Sequence, residues 1–295
     1  MRFPGIIPAV TTPFDASGDV DVGALEGNVA ALLDAGVHGV VATGTMGEAG
    51  SLSAAERRTV VEAVVRAADG RVPVIAGVSA GTPAAAIALA ADAAEAGAGA
   101  LMMLPPLGYR ADADETVAYY RSVAEAAGLP LMAYNNPEAS GVDMRADLLV
   151  RLYEEIDAVV AVKECSGDAR RIPALLNAAP GLEVLVGGDD WALEGFCAGA
   201  TGWVTGVADV APRECVALYD ACRSGDLETA RAIYARLLPL ARFDMTPKLV
   251  QYFKAAMDEV GLAGGPTRPP RLPLTGAERE ALAGAMAALR EGAAV

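Results

Sequence analysis

Histidine is nearly missing from this sequence. His38 is the only one, and the four cysteines, Cys165, Cys197, Cys215 and Cys222, form no C-x-x-C pair. A structural zinc centre needs several such ligands at close spacing, and a disulfide framework belongs to an oxidising compartment. Neither is expected: the pattern points to reduced thiols in a cytoplasm and to no metal. His38 follows a helix-ending glycine, Gly36, and reads as a structural histidine. Basic residues are also scarce, 23 Lys and Arg against 38 Asp and Glu, for a net charge of -15. An acidic chain is repelled by nucleic acid and by anionic membranes, so neither is expected as a partner. No stretch of about eighteen apolar residues runs free of charge or turn signals, which leaves no candidate membrane span. The start, Met1-Arg2-Phe3-Pro4-Gly5, lacks the apolar core of a signal peptide. Nucleotide-binding signatures are absent too: there is no G-x-x-x-x-G-K-[ST], and no G-x-G-x-x-G opens a helix.

What is present is apolar and regular. The hydrophobic fraction is 53%, much of it alanine, and 295 residues suffice for two domains or one large α/β barrel. Short runs of small and β-branched residues recur at 6–10, 39–43, 72–77, 100–104, 130–134, 159–165, 183–187 and 202–206. Each reads as a buried strand. Between and after them, helical spacing predicts helices over 21–35, 53–69, from 83, 114–127, 145–154, 169–178, 190–198 and 212–223. Ser53 and Glu56 form a capping box, and Thr82-Pro83 is a helix start. Eight strands alternating with eight helices predict a (β/α)8 TIM barrel over residues 1–224. The units share no repeated motif, so a solenoid is not expected. Beyond Gly225 the strand signals stop. Three helices, over 226–242, 247–261 and 275–290, predict a helical extension over 225–295 packed on the barrel or on another subunit.

The run Val159-Val160-Ala161-Val162 ends in Lys163. Burial favours a neutral amine and lowers a lysine pKa, and a neutral amine attacks carbonyl carbons to form a Schiff base. The residue alone also permits a lysine that snorkels to the strand rim. In a barrel, active sites gather at the C-terminal strand ends. Tyr134, Gly44-Thr45 and Gly187-Gly188-Asp189-Asp190 fall there with Lys163. A phenol can shuttle protons, and glycine amides with a threonine hydroxyl can hold a carboxylate. Plainer readings exist for each. Tyr134 can end a strand with its hydroxyl in water, and residues 44–47 can be a simple turn. Glu48 reads as a structural carboxylate, Asp189-Asp190 as a helix cap rather than a metal site, and Cys165 as inert.

Taken in order, six segments resemble the dihydrodipicolinate synthase and N-acetylneuraminate lyase superfamily. They are Pro8-Ala9-Val10-Thr11-Thr12-Pro13-Phe14, Gly44-Thr45-Met46-Gly47-Glu48, Gly70-Arg71-Val72-Pro73-Val74, Tyr134-Asn135-Asn136-Pro137, Val162-Lys163-Glu164 and Gly188-Asp189-Asp190. The resemblance implies class I Schiff-base chemistry on Lys163 without a cofactor, with Tyr134 as acid/base group and Gly44 and Thr45 holding a carboxylate. It places Met46, Leu107, Asn136, Gly188 and Val204 around the substrate, and it implies a homotetramer built as a dimer of dimers. Three departures argue against the synthase reaction itself. Met46 stands for a second hydroxyl residue, Leu107 for a tyrosine of the proton relay, and Ala139 for an arginine that holds the second substrate.

Further segments resemble the branch that deaminates 1-pyrroline-4-hydroxy-2-carboxylate in bacterial hydroxyproline catabolism. These are Tyr109-Arg110-Ala111-Asp112, Gly141-Val142-Asp143, Pro247-Lys248-Leu249-Val250-Gln251-Tyr252 and Arg268-Pro269-Pro270-Arg271-Leu272-Pro273-Leu274. The implied activity is deamination of that cyclic imino acid to 2-oxoglutarate semialdehyde. The alternatives are a pyruvate-dependent aldolase, synthase or keto-acid dehydratase, and a keto-acid-binding protein without turnover.

Overall fold

Eight short strands, each buried, make the centre of the molecule: β1 (Gly5–Pro8), β2 (Val40–Ala42), β3 (Val74–Gly77), β4 (Ala100–Met103), β5 (Leu131–Asn135), β6 (Val159–Glu164), β7 (Glu183–Val186) and β8 (Gly202–Thr205). They come from a computed structural model that describes residues 2–291. Met1 and residues 292–295, the outer ends of the two segments read from the sequence, lie outside the described residues. Every pairing is parallel, in the order β1-β8-β7-β6-β5-β4-β3-β2. The ring closes between β1 and β2 through the Ala9–Val41 bridge, where Val10 N–H donates to Val41 O at 3.0 Å. This is the (β/α)8 barrel with a C-terminal helical extension that the alternation predicts.

The barrel helices are α1 (Val22–Asp34), α2 (Ala54–Ala68), α3 (Pro83–Glu95), α4 (Ala113–Ala127), α5 (Pro137–Ser140), α6 (Ala146–Glu155), α7 (Arg171–Ala178), α8 (Ala192–Cys197) and α9 (Pro212–Ser224). The extension carries α10 (Leu227–Ala241), α11 (Leu249–Glu259) and α12 (Gly276–Arg290). Local chemistry sets many of the starts. Capping boxes open α2 at Ser53 and Glu56, α4 at Asp112 and Glu115, and α12 at Thr275 and Glu278. Thr82 caps α3 ahead of Pro83. The single-turn helix α5 lies outside the sequence expectation, because four residues show no periodicity. Asn136 caps it and Pro137 begins it. The helix expected over 190–198 is divided: a 3-10 turn over Asp189–Trp191 precedes α8.

His38 is structural. Its Nδ1 accepts from Ile6 N–H at 3.1 Å, and burial lowers its pKa against an opposing pull from Asp220. Its ring lies so close to Gly5, at φ +88°, that a Cβ there would sit 2.4 Å from His38 Cγ. Among the described residues, no helix is long and apolar enough to cross a membrane.

Candidate active site

The parallel register sets Tyr134 of β5 directly beside Lys163 of β6. Successive strand residues point to opposite faces, so the next pair, Asn135 and Glu164, faces the other way. That pair is a brace. Asn135 Nδ2 donates to Glu164 Oε2 at 3.0 Å, Ser166 N–H donates to Glu164 Oε1 at 2.6 Å, and Met144 N–H donates to Asn135 Oδ1 at 2.9 Å. The brace fixes the strand pair from behind while Tyr134 and Lys163 face a cavity of about 340 Å³.

Lys163 is 7% exposed, and its Nζ lies 4.4 Å from the centre of the Tyr134 ring. Its stem runs along Gly187. A Cβ at that glycine would stand 2.7 Å from Lys163 Cγ and 2.1 Å from Cys165 Sγ. Gly188 makes the same kind of room for Trp191, whose Nε1 would be 2.1 Å from an added Cβ. The two glycines therefore clear space for side chains. Tyr134 OH accepts from Asn136 Nδ2 at 3.1 Å, and Asn136 Oδ1 holds the start of α5 through Ala139 N–H at 3.0 Å.

The expectation that burial alone governs the Lys163 amine is corrected. Burial does disfavour the ammonium, but Tyr134, Cys165, Asp244 and Asp189 oppose it, and the net direction is upward. Tyr134 and Cys165 are themselves pushed up by burial, so both are neutral near pH 7. Near pH 7 those two groups and the raised Asp189 exert no pull, so the resting amine is an ammonium held chiefly by the Asp244 carboxylate, and it must lose a proton before it can attack.

The loop after β2 brings Gly44, Thr45 and Met46 to the same cavity. It holds an unusual course: Thr43 and Glu48 both adopt left-handed backbone, at φ 53° and 54°. Thr43 Oγ1 donates to Gly77 O at 3.1 Å, and Thr12 Oγ1 donates to Gly47 O at 2.7 Å. Glu48 is the anchor. Its carboxylate accepts from Lys254 Nζ at 2.8 Å, Arg268 N–H at 3.2 Å and Arg271 Nη1 at 3.4 Å.

Gly44, Thr45, Met46, Tyr134, Asn136, Lys163, Gly188 and Val204 thus share one cavity. Leu107 does not line it. It borders an adjoining cavity of about 240 Å³ that shares Gly44, Thr45 and Tyr134. The sequence reading missed the opposite wall, Asp244, Met245, Thr246, Pro247 and Leu249, which all come from the extension. Its sequence signals were a turn between two helices and the segment 247–252, which resembles the deaminating branch but does not read as cavity wall.

The cap expected of Asp189 is also corrected, because its side chain caps no helix. It is buried, and accepts from Trp203 Nε1 at 2.9 Å and from Gly206 and Val207 N–H at 3.2 Å, so it fastens the end of β8. Burial and the neighbouring Asp244 push this carboxyl well up, against the pull of its donors. Tyr234 of α10 donates to Asp189 O at 3.0 Å and stitches the extension to the same turn. Among the described residues, no cluster of three His, Cys, Asp or Glu side chains could hold a metal ion.

An amine nucleophile, a phenol and an amide-rich loop around one small cavity can form and process an imine of a small carboxylic acid. Comparison with known proteins fits that chemistry. The model of the dihydrodipicolinate synthetase family matches residues 2–289. A 4-hydroxy-tetrahydrodipicolinate synthase from Methanopyrus kandleri is 38% identical over 273 residues, covering 92% of this chain and 91% of that protein. A solved structure of a putative dihydrodipicolinate synthetase from Pseudomonas aeruginosa superposes with a TM-score of 0.93 at 37% identity, over 98% of this chain and 100% of that one. The dihydrodipicolinate synthase from Acinetobacter baumannii, solved in complex with pyruvate, gives a TM-score of 0.92 at 33% identity, over 98% and 99% of the two chains. The chain belongs to the dihydrodipicolinate synthetase family and is an enzyme of that family.

Proposed function

We propose that this enzyme deaminates 1-pyrroline-4-hydroxy-2-carboxylate to 2-oxoglutarate semialdehyde and ammonia through a Schiff base on Lys163. The observation that carries this reading is the charge of the cavity. Lys163 is the only Lys or Arg among its lining residues, whereas Asp244 and Glu138 both line it. With the amine consumed in the covalent bond, the wall made by the extension and α5 offers acid, and the basic residues Arg57 and Arg271 line the adjoining cavity instead. A co-substrate bearing its own carboxylate would be repelled there. A substrate with one carboxylate at the reacting carbon and a hydroxyl and amine beyond it suits both ends.

The neutral Lys163 amine attacks the C2 imine carbon, and the C=N pair moves to the ring nitrogen, which takes a proton. The C2–N1 bond then breaks, the ring opens, and Lys163 remains joined to C2 as a ketimine. Loss of a C3 proton gives an enamine, whose electron pair expels the protonated 4-hydroxyl as water. Proton shifts turn the amine end into an aldimine. One water releases ammonia from C5, and a second releases the keto acid and regenerates Lys163. Tyr134 exchanges the protons at C3 and at the leaving oxygen, and the Gly44–Thr45 segment holds the carboxylate. The imine itself is the electron sink, so the route needs no metal or cofactor. Assembly as a dimer of dimers in the cytoplasm belongs to the same reading, on the resemblance of the motifs.

A pyruvate-dependent aldolase, synthase or keto-acid dehydratase reaction is the second reading, favoured by the names of the relatives and by the pyruvate complex of the Acinetobacter enzyme. Reductive trapping separates the two. The enzyme is incubated with the pyrroline or with pyruvate, reduced with borohydride, weighed intact and peptide-mapped, with ammonia assayed in unreduced controls. An adduct on Lys163 from the pyrroline, with ammonia released, establishes the deaminase. A pyruvate adduct without reaction of the pyrroline moves the assignment to the aldolase and synthase group.

A further inference from the structure

Forming the imine poses a proton problem that Lys163 and Tyr134 do not solve together. Both side chains are buried, and both pKa values lie above their ordinary range, so neither takes a proton from the other near pH 7. Cys165 is likewise held protonated by burial. Thr45 and Thr246 do not titrate, and Glu138 is exposed at the end of α5. One lining carboxylate remains, on the wall supplied by the extension.

Asp244 sits in a 3-10 turn, Arg242–Met245, between α10 and α11. The turn is fixed on both sides. Phe243 stacks on Tyr252 of α11 with ring centres 3.9 Å apart and planes 14° apart. On the other side Asp189 N–H donates to Asp244 Oδ2 at 3.3 Å. One carboxylate oxygen is thereby tied to the β7 turn while the side chain lines the cavity with Lys163. The charged and titratable groups around it are Lys163 of β6, Cys165 just beyond it, Tyr134 of β5, and Asp189 and Asp190 after β7. Lys248 at the start of α11 is engaged elsewhere, with Glu278 at 2.7 Å.

We propose that Asp244 is the proton acceptor that frees the Lys163 amine for attack and returns the proton to the substrate nitrogen or oxygen as the C–N bond forms. The exchange is balanced: ammonium and carboxylate become amine and carboxylic acid. The amine lone pair then makes the new bond to carbon, the π pair of the attacked double bond moves to its heteroatom, and the carboxylic acid protonates that atom. The two side chains form no direct ion pair among the described residues, so bound substrate or water carries the proton across the cavity they both line. Burial raises the Asp244 carboxyl to about 6, with Lys163 and the Asp189 amide pulling the other way. It is therefore ionised at neutral pH yet close enough to neutrality to hold a proton in transit. The inference rests on the Schiff-base part of the proposed function and not on the identity of the substrate.

The test is the rate of adduct formation on Lys163, trapped with cyanoborohydride and read by intact mass, as a function of pH. Pyruvate and the hydroxylated pyrroline are used separately on the wild type, Asp244→Asn and Asp244→Glu. Wild type should lose rate about tenfold per pH unit below about 6, as Asp244 takes up its proton. Asp244→Asn should abolish the break near 6 and slow trapping at neutral pH by roughly 10²–10⁴-fold, its rate climbing straight through that range as the ammonium itself loses its proton, and Asp244→Glu should restore a break. If Asp244→Asn does not fold, Asp244→Ser is read in the same way, against the wild-type limb. Retention of the break near 6 in either neutral variant, or an unslowed rate, overturns the proposal, as does a wild type without that break. An adduct from the pyrroline without ammonia defeats the deaminase reading and leaves Asp244 standing. No adduct from either compound defeats both.

Discussion

Lys254, on the extension, donates to Glu48, in the loop after β2, across 2.8 Å, with 1% and 0% of the two side chains exposed. Burial lowers the Lys254 pKa and the contact with Glu48 opposes that shift. The relationship joins the loop proposed to hold the substrate carboxylate to helix α11. Removing one partner strands a buried charge, which typically costs about 3–5 kcal/mol. Lys254→Met should lower the unfolding free energy in urea by about that much, and adding Glu48→Gln should recover part of it. A loss below about 1 kcal/mol would show that the carboxylate finds enough support from Arg268 and Arg271.

Gly187→Ala tests the geometry of the amine. An added Cβ falls 2.7 Å from Lys163 Cγ and 2.8 Å from Cε, so the stem must move. A displacement near 1 Å commonly costs about 10²-fold in rate. Turnover and Lys163 trapping should both drop by about that factor while the circular dichroism stays native. Unchanged kinetics would mean that the lysine has a second route to its position.

Tyr134→Phe keeps the ring against Lys163 and removes the hydroxyl that Asn136 holds. If that hydroxyl moves protons, kcat should fall by roughly 10²–10⁴-fold with the Schiff base still trappable. Equal kcat for the two proteins would take Tyr134 out of the reaction.

Asp209→Asn addresses stability rather than chemistry. Asp209 is buried, neither of its oxygens meets a hydrogen-bond partner, and burial pushes its pKa well above 3.8. A carboxyl whose pKa rises on folding leaves stability intact below the unfolded pKa and erodes it as pH climbs from there. The gain of Asp209→Asn over wild type should therefore grow by up to about 1.4 kcal/mol per pH unit above the unfolded value. Denaturation curves from pH 4 to 8 would measure it, and a difference flat in pH would contradict it.

The barrel was legible because each strand is a short run of β-branched and small residues bounded by turn signals, and each long helix shows its apolar stripe. Tyr134 and Lys163 could be placed because strand ends are set by local sequence. The rest of the cavity depends on contacts the local pattern does not carry. Asp244 lies 55 residues from the Asp189 amide that holds it, and Glu48 lies 206 residues from Lys254. Asp189 reads as a cap because Asp before a helix usually is one. The indole of Trp203 and two backbone amides outcompete that role only once β8 is in place. The Lys163 amine misled for a related reason: its burial is visible in the sequence, but the groups that oppose burial sit on other strands and on the extension.

Five residues of the cavity wall, Asp244 to Pro247 and Leu249, belong to the joint between α10 and α11 rather than to any strand end. The Phe243–Tyr252 stack and the Asp189–Asp244 contact hold this joint, but Met245, Thr246 and Pro247 carry no strand pairing, so their side chains can change at less cost to folding than those of a strand. For the engineer the same joint is a cassette of about six positions, where a library could be screened for new acceptors without reopening the core.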